Sequence, residues 1–280
     1  MVSFQHVVSA SLARRFPPAL APEEDLVGLT ICSLREVERG NSVLVMLCVD
    51  LTEQVLAEAV GQHAAFIITY SPMPSAPVRS LSTDDAHGRI LLTCALHSLA
   101  VYSIHTACNS AQGGIDDWLA RSVASGSVTP VEPSELFVDA GQGRLLEFEL
   151  SAPLSSLVAS LKKLLGLKHL RIALPAIVDE ANLAKALDSC YVRTLAVQAG
   201  VPCAAVRECG ANVLVASEMS HSHVLAANAR GAVVILAGQS TIERAYLGHL
   251  RQELLVEFSD SDWNVKMKLS AVDSAPLAIV

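Results

Sequence analysis

Residues 42–69 read SVLVMLCVDLTEQVLAEAVGQHAAFIIT, and this stretch decides the fold class. Ser42–Val49 is a short, continuous run of mostly branched apolar residues, which predicts a buried strand. Thr52 can cap a helix that carries apolar residues on one face. Ala64–Thr69 then predicts a second strand. A strand, a helix and a strand within thirty residues form a βαβ unit with a parallel pair, so the sequence predicts an α/β protein.

The alternation of strands and helices continues on both sides of this unit. An amphipathic helix is predicted before it, from the helical spacing of apolar residues between Val7 and Arg15. After it, Ser125–Pro133 contains one glycine and two prolines and is predicted to be a hinge. We therefore expect two α/β lobes with largely parallel or mixed sheets facing a central cleft. The expected lobes are residues 1–125 and 126–280, with the C-terminal segments free to return to the first.

Charge and hydropathy limit the classes of partner. Lys and Arg number 20 against 28 Asp and Glu, a formal net charge of −8, which offers little basic surface for nucleic acid. The longest apolar stretch, Ser42–Val49, is far shorter than a membrane span. We expect neither a nucleic-acid partner nor a membrane partner. Because 51% of residues are hydrophobic, surplus apolar surface is available for a homo-oligomer interface.

The cysteines indicate the compartment. Seven are scattered along the chain without a paired spacing, which is typical of a reducing compartment and favours the cytoplasm. The first 22 residues contain no acid and carry Arg14 and Arg15, so a mitochondrial location is the alternative.

Polar residues follow several predicted strands. In open parallel sheets, ligands bind beyond the carboxyl ends of the strands. Four such ends are therefore candidates for a site: TYSP at 69–72, HTACN at 105–109, SEMSH at 217–221 and GQSTIE at 238–243.

The same strand ends carry a family resemblance, because an ordered set of motifs along nearly the whole chain resembles the NIF-three-like (GTP cyclohydrolase I type 2-like) family. The motifs are VDLT at 49–52, IIT at 67–69, VYSIHT at 101–106, GGIDDWL at 113–119, GQGR at 141–144, SEMSH at 217–221 and GQSTIERAYL at 238–247. The resemblance implies two α/β lobes, assembly into dimers or higher rings, and a dinuclear metal site at the strand ends.

At the positions of the family's metal ligands, this sequence departs from the pattern. Tyr70 and Ser71 stand where paired histidines are expected, Asn109 stands for an aspartate, and Gln239 stands for a histidine. Glu243 is retained. Neutral, weak ligands cannot offset the repulsion between two divalent ions, so the sequence predicts a degenerate site that holds no dinuclear centre.

A neighbouring motif keeps Glu218 and His221, while Ser222 replaces a usual second histidine. At most one divalent ion is therefore expected, held by Glu243 with His105, Glu218 and His221. A metal-free pocket is another reading, in which Tyr70, Asn109 and Gln239 would hydrogen-bond a neutral ligand.

Other candidate sites have simpler structural explanations. Asp116 and Asp117 are adjacent on a predicted helix and point about 100° apart, so they favour a helix N-terminus over a facing acid–base pair. Gly141–Arg144 precedes a strand, which favours a turn that opens the second lobe over a phosphate loop. Cys108 follows His105 by three residues, a spacing that does not place a thiol against a base.

Two functions follow from these residues. The first is a non-catalytic member of the family, a binding or assembly protein that has lost its metals and has a possible protein partner. The alternative is a divergent metal-dependent hydrolase of a nucleotide-like or phosphorylated small molecule, in which one ion activates water.

Overall fold

The computed structural model describes residues 3–175 and 182–277, and the chain forms two compact units. The first comprises Met1–Cys108 and Leu247–Val280, and the second comprises Asn109–Tyr246. This division differs from the boundary expected between residues 125 and 126. Helix α5 (Ile115–Val123) packs on the sheet of the second unit, whereas strand β11 (Asn264–Leu269) pairs with the sheet of the first.

The first unit contains a mixed five-stranded sheet. Its strands, in spatial order, are β1 (Gly28–Ile31), β4 (Ala100–Ser103), β3 (Phe66–Thr69), β2 (Ser42–Cys48) and β11. Strands β4, β3, β2 and β11 are parallel neighbours, and β1 runs antiparallel to β4. The predicted βαβ unit is confirmed, because β2 and β3 form a parallel pair.

Helices cover both faces of this sheet. Helix α2 (Glu53–Gly61) and α3 (Ala86–Leu96) bury apolar side chains against β2, β3 and β4. The Thr52 hydroxyl accepts the Val55 N–H at 3.3 Å, as its position before α2 predicted. Helix α1 (Phe4–Arg15) buries Phe4, whose ring lies edge-on to Phe66, with ring centroids 6.4 Å apart.

The second unit contains a mixed six-stranded sheet. Its strands, in spatial order, are β5 (Gly126–Pro133), β6 (Gly141–Pro153), β8 (Tyr191–Gln198), β9 (Val213–Ala216), β10 (Val233–Leu236) and β7 (Arg171–Ala173). Strands β8, β9 and β10 are parallel, while the outer pairings are antiparallel. The α/β fold with mixed sheets is therefore confirmed.

In the second unit one helix precedes the strands and the others alternate with them along the chain. They are α5, α6 (Leu154–Leu165), α7 (Leu183–Ser189), α8 (Ala204–Glu208) and α9 (His221–Ala229). Two further helices cross the division between the units along the chain: α4 (His105–Ser110) and α10 (Gln239–Glu257). Among the described residues, no helix is long and apolar enough to cross a membrane.

The hinge predicted at Ser125–Pro133 is wrong, because Gly126–Pro133 forms strand β5. This strand lies at the edge of its sheet, and among the described strands it pairs with β6 alone. An edge strand needs hydrogen bonds on one side only, so it tolerates prolines that a central strand would exclude. Pro130 and Pro133 were therefore a misleading signal.

Candidate functional site

In the first unit, Tyr70 and Ser71 directly follow the carboxyl end of β3. Their backbone N–H groups donate to Cys48 and Val49 carbonyls at 2.9 Å, which fixes the chain beside the end of β2. Tyr70 is only 5% exposed. The Ser71 hydroxyl donates to Asp50 Oδ1 at 2.7 Å. Both positions therefore have well-defined local roles.

His105 follows β4 and pairs with an acid that the sequence did not single out. Its Nδ1 lies 2.8 Å from Asp25 Oδ1 and 2.7 Å from Oδ2. The Thr106 hydroxyl and backbone N–H also donate to Asp25 Oδ2, the N–H at 3.3 Å. Burial acts to raise the pKa of Asp25, but these hydrogen bonds and the charge of His105 outweigh it and hold the pKa below its ordinary value.

The Tyr70 ring contacts the other side of this pair. Its centroid lies 5.7 Å from that of the His105 imidazole, at an interplanar angle of 79°. The Tyr70 carbonyl accepts the His105 N–H at 2.9 Å. The structure thus brings together Tyr70 and His105, which the sequence placed at neighbouring strand ends.

In the second unit, the peptide of Ala199, just after β8, is held from both sides. Asn109 Nδ2 donates to the Ala199 carbonyl at 3.1 Å. Asp116 Oδ1 accepts the Ala199 N–H at 2.7 Å. Asp116 is completely buried, and burial raises its pKa to about 7 against the opposing effects of the Ala199 bond and the Arg144 charge.

The next residue, Gly200, connects this peptide to two further candidates. Its N–H donates to the Ser217 hydroxyl at 2.8 Å, and its carbonyl accepts the backbone N–H groups of Ser217 and Glu218 at 3.1 and 3.2 Å. The Ser217 hydroxyl lies 3.4 Å from Glu243 Oε1 and donates to it. Candidates Asn109, Glu218 and Glu243 are thus linked through residues 199–200 and Ser217.

The remaining candidates are placed differently. Glu218 Oε1 accepts a hydrogen bond from Arg171 at 2.7 Å, so its carboxylate already has a cationic partner. His221 is the first residue of α9 and is exposed. Gln239 begins α10, and its side chain lies outside the part of the structure that is described.

Arg144 is completely buried within β6, whose first residue is Gly141, so the turn predicted at Gly141–Arg144 is wrong. Its guanidinium lies 3.1 Å from Asp117 Oδ1 and donates to the carbonyls of Gly141, Gly143, Ser110 and Ala111 at 2.7 to 3.1 Å. Asp117 also accepts the Gly113 N–H at 2.8 Å, which agrees with the helix N-terminal role that the sequence predicted. The ion pair therefore joins α5 to β6 within the second unit.

Asp25 and Ala199 were missed by sequence reasoning, and Ser217 was included only as part of the motif at 217–221. Their partners lie 80, 90 and 26 residues away along the chain, so no local pattern marks them. Within the described residues of either unit, no three His, Cys, Asp or Glu side chains are arranged to hold a metal ion.

Comparisons with known proteins identify the family. A family model described as Duf34/NIF3 (NGG1p interacting factor 3) matches residues 5–276. "Protein NIF3 homolog" of Schizosaccharomyces pombe is 32% identical, covering 94% of this chain and 93% of that protein. "NGG1-interacting factor 3" of Saccharomyces cerevisiae is 28% identical, covering 96% and 94%. "GTP cyclohydrolase 1 type 2 homolog" of Bacillus subtilis is 32% identical over 42% of this chain and 31% of that protein.

Solved structures share the fold. A hypothetical protein of Staphylococcus aureus superposes with a TM-score of 0.78 at 19% identity, covering 99% of both chains. A Bacillus cereus protein related to NIF3 gives 0.75 at 19% identity, also over 99% of both chains. The resemblance predicted from the motifs is confirmed. Since the family model spans nearly the whole sequence, this chain belongs to the Duf34/NIF3 family.

Proposed function

We propose that this chain is a non-catalytic member of its family, a binding or assembly protein that has no dinuclear metal centre. The observation that carries the proposal is the donor set at the family's metal positions. Tyr70, Ser71 and Asn109 are neutral, and Gln239 is neutral by its sequence. Glu243 is the single acid that these five positions retain.

The contacts of these side chains support the same conclusion. The Ser71 hydroxyl donates to Asp50, and the Asn109 amide donates to the Ala199 carbonyl. A group that donates a hydrogen bond to its neighbour turns its proton, not its lone pair, in that direction. These contacts explain the two residues as parts of the local structure without invoking a metal.

Charge leads to the same result. Two divalent ions close together need several anionic or imidazole ligands to offset their repulsion. One glutamate among five positions supplies a single negative charge. The residues present therefore do not fit a dinuclear centre.

The metal-dependent hydrolase, our alternative from the sequence, would need Glu243, His105, Glu218 and His221 around one ion. Glu218 is engaged by Arg171. Binding an ion through Glu218 would first have to displace or share this arginine, which favours the non-catalytic reading.

A partner role agrees with the name of one relative. The Saccharomyces cerevisiae relative is named as an NGG1-interacting factor, a description of a protein partner. We propose by analogy that this chain also acts through protein contacts and that it forms a homo-oligomer in the cytoplasm. Sedimentation at micromolar concentration tests the assembly, and a monomer there would contradict it.

Elemental analysis tests the metal-free site directly. The purified chain is measured before and after incubation with Fe²⁺, Mn²⁺ and Zn²⁺, next to Glu243→Gln and the exposed control Glu36→Gln. We expect less than about one tenth of an ion per chain in all three proteins. One ion or more per chain, lost in Glu243→Gln and kept in Glu36→Gln, would overturn the proposal and justify a screen for hydrolase activity.

A further inference from the structure

The hairpin that connects β5 to β6 presents apolar side chains to solvent. Its tip, residues 134–140, reads SELFVDA. Leu136 is 71% exposed and Val138 is 86% exposed, while Phe137 between them is half-buried. Consecutive apolar residues on the surface of a folded protein are unfavourable unless another surface covers them. The hairpin tip is therefore a candidate contact surface in the second unit.

The hairpin tip is held in shape by its own backbone. The Ser134 N–H donates to the Ala140 carbonyl at 2.8 Å, and the Leu136 N–H donates to the Ser134 hydroxyl at 3.2 Å. A side chain at Gly141 would collide with the Glu132 carbonyl, so the two strands approach closely behind the tip. A preformed loop loses little conformational freedom on binding, which favours association.

The first unit contains a cleft between α3 and the loop that follows β3, residues 72–85. This loop cleft has a volume of about 220 Å³. Its lining includes the apolar side chains of Pro74, Ala76, Pro77, Val78 and Leu91. Small-molecule sites usually enclose about 300–1,000 Å³. Because the loop cleft is smaller than this, its size and lining favour apolar side chains of a protein over a free ligand.

The loop beside the cleft is fixed near both of its ends. Near its start, the Met73 carbonyl accepts the Thr30 hydroxyl at 2.6 Å. Near its end, Arg89 Nη1 donates to the Thr83 carbonyl at 2.8 Å. The loop cleft is therefore preformed, and a protein surface can enter it without first ordering the loop.

The charges beside the two surfaces are complementary. Glu135 and Asp139 flank the apolar residues of the hairpin tip. Arg79 is exposed, lies between two residues of the cleft lining, and is the only basic residue in the sequence of the loop. Asp84 and Asp85 accept hydrogen bonds of 2.8 Å from the loop and from α3, so both face their own chain. Arg79 can therefore pair with the acids of an entering tip.

We propose that the hairpin tip of one copy of this chain docks in the loop cleft of a second copy, with Leu136 and Val138 in the cleft. Glu135 and Asp139 then lie beside Arg79. Both halves of the contact are present in one chain, which is the reason to assign a second copy as the partner. The inference rests on the homo-oligomer proposed above and names the surfaces that form it. Because each partner uses a different surface, the contact links identical chains into a ring or a reciprocal dimer.

Mixing two variants tests the contact by sedimentation velocity at micromolar concentration. Leu136→Ser/Val138→Ser alters the tip, and Val78→Asp places a carboxylate in the cleft; all three side chains are exposed. Each variant alone should dissociate, with a dissociation constant raised at least about tenfold. A one-to-one mixture should recover a dimer, because the intact tip of the cleft variant can enter the intact cleft of the tip variant.

Two exposed leucines provide controls for the mixing experiment. Leu150→Ser in the second unit and Leu34→Ser in the first should keep the mass of the unmodified assembly. An assembly that the tip variant and the cleft variant both leave intact would overturn this inference and leave the proposed oligomer standing. A monomeric unmodified chain would contradict the oligomer and this inference with it.

Photo-cross-linking does not depend on how well those variants fold. Val138→p-benzoylphenylalanine is made in a ¹⁵N-labelled chain, mixed with the unlabelled chain and irradiated. Peptide mass spectrometry should find cross-links from position 138 of the labelled chain to residues 74–91 of the unlabelled chain. Cross-links between chains that lead only to other segments, or none between chains, would refute the proposed contact.

Discussion

The buried carboxyl of Asp116 makes the stability of the second unit depend on pH. Its pKa rises from 3.8 to about 7 on folding, mainly because of burial. Below pH 3.8 both folded and unfolded chains hold the proton. Between pH 3.8 and about 7 the folded chain keeps the proton while the unfolded chain releases it, so this group destabilises the fold progressively as pH rises. Above about pH 7 the destabilisation has reached its full size and no longer changes with pH.

The size of this effect follows from the pKa values. At about 1.4 kcal/mol per pH unit, a pKa raised from 3.8 to about 7 corresponds to about 4 kcal/mol. Asp116→Asn removes the titration altogether. The free energy of unfolding of the variant, minus that of the unmodified chain, should therefore rise by about 4 kcal/mol between pH 4 and pH 8. The change between these pH values does not depend on how well Asn fits the site.

Urea unfolding monitored by tryptophan fluorescence provides the assay. The sequence has two tryptophans, and Trp118 lies in the second unit while Trp263 lies in the first. Trp263→Phe therefore leaves Trp118, two residues from Asp116, as the reporter. Exposed Asp260→Asn in the same background is the control and should show a flat difference. A change below about 1 kcal/mol in Asp116→Asn would refute the argument that burial holds a proton on this group.

Two further substitutions, each with a matched control, test the backbone and the ion pair near the site. Gly200 has a φ of +82°, so Gly200→Ala should lower the free energy of unfolding by about 1–2 kcal/mol. Gly248 lies inside α10 with open space where a Cβ would be, so Gly248→Ala should raise the free energy of unfolding by about 0.5–1 kcal/mol. Equal effects of the two substitutions in urea unfolding would contradict the role of φ. Arg144→Met removes the buried cation from Asp117 and the donors from four backbone carbonyls, and it should cost about 3–5 kcal/mol. Arg121 pairs with the same Asp117 from the surface at 3.8 Å, so Arg121→Met should cost less than about 1 kcal/mol, and a similar cost for both arginines would refute the assignment.

Local signals were sufficient for much of the fold. Helix α6 (Leu154–Leu165) carries such signals, because its apolar residues recur at helical spacing and Gly166 follows its last residue. The first βαβ unit was equally clear from an apolar run, a capping residue and a second run. These features depend on residues within a few positions of one another, so a single sequence contains them.

Elements that depend on their neighbours were not predicted. Strand β1 has four residues and is held by antiparallel pairing with β4, more than seventy residues later. Strand β5 was taken for a hinge, because its prolines are acceptable only at a sheet edge, and edge position is a property of the whole sheet. A single sequence does not show which strand lies beside β1 or β5, so neither pairing could be predicted from it.

The candidate site shows the same limit. The strand-end rule and the family motifs placed Tyr70, His105 and Asn109 at chain positions where ligands can bind. Their partners, Asp25 for His105 and Ala199 for Asn109, come from distant segments. Residue types could therefore be predicted, while the hydrogen bonds that decide their protonation and orientation could not.

In the metal-free centre that we propose, the neutral residues at the other metal positions bear on how Glu243 is accommodated. This acid is 2% exposed, and a buried carboxylate must be offset by donors or cations. The Ser217 hydroxyl is one such donor. The family pattern places an aspartate at position 109 in the same centre, and without metal ions two carboxylates there would repel and raise each other's pKa. Asn109 removes that repulsion and donates to Ala199 instead. The residues at these positions therefore agree electrostatically with the metal-free centre that we propose.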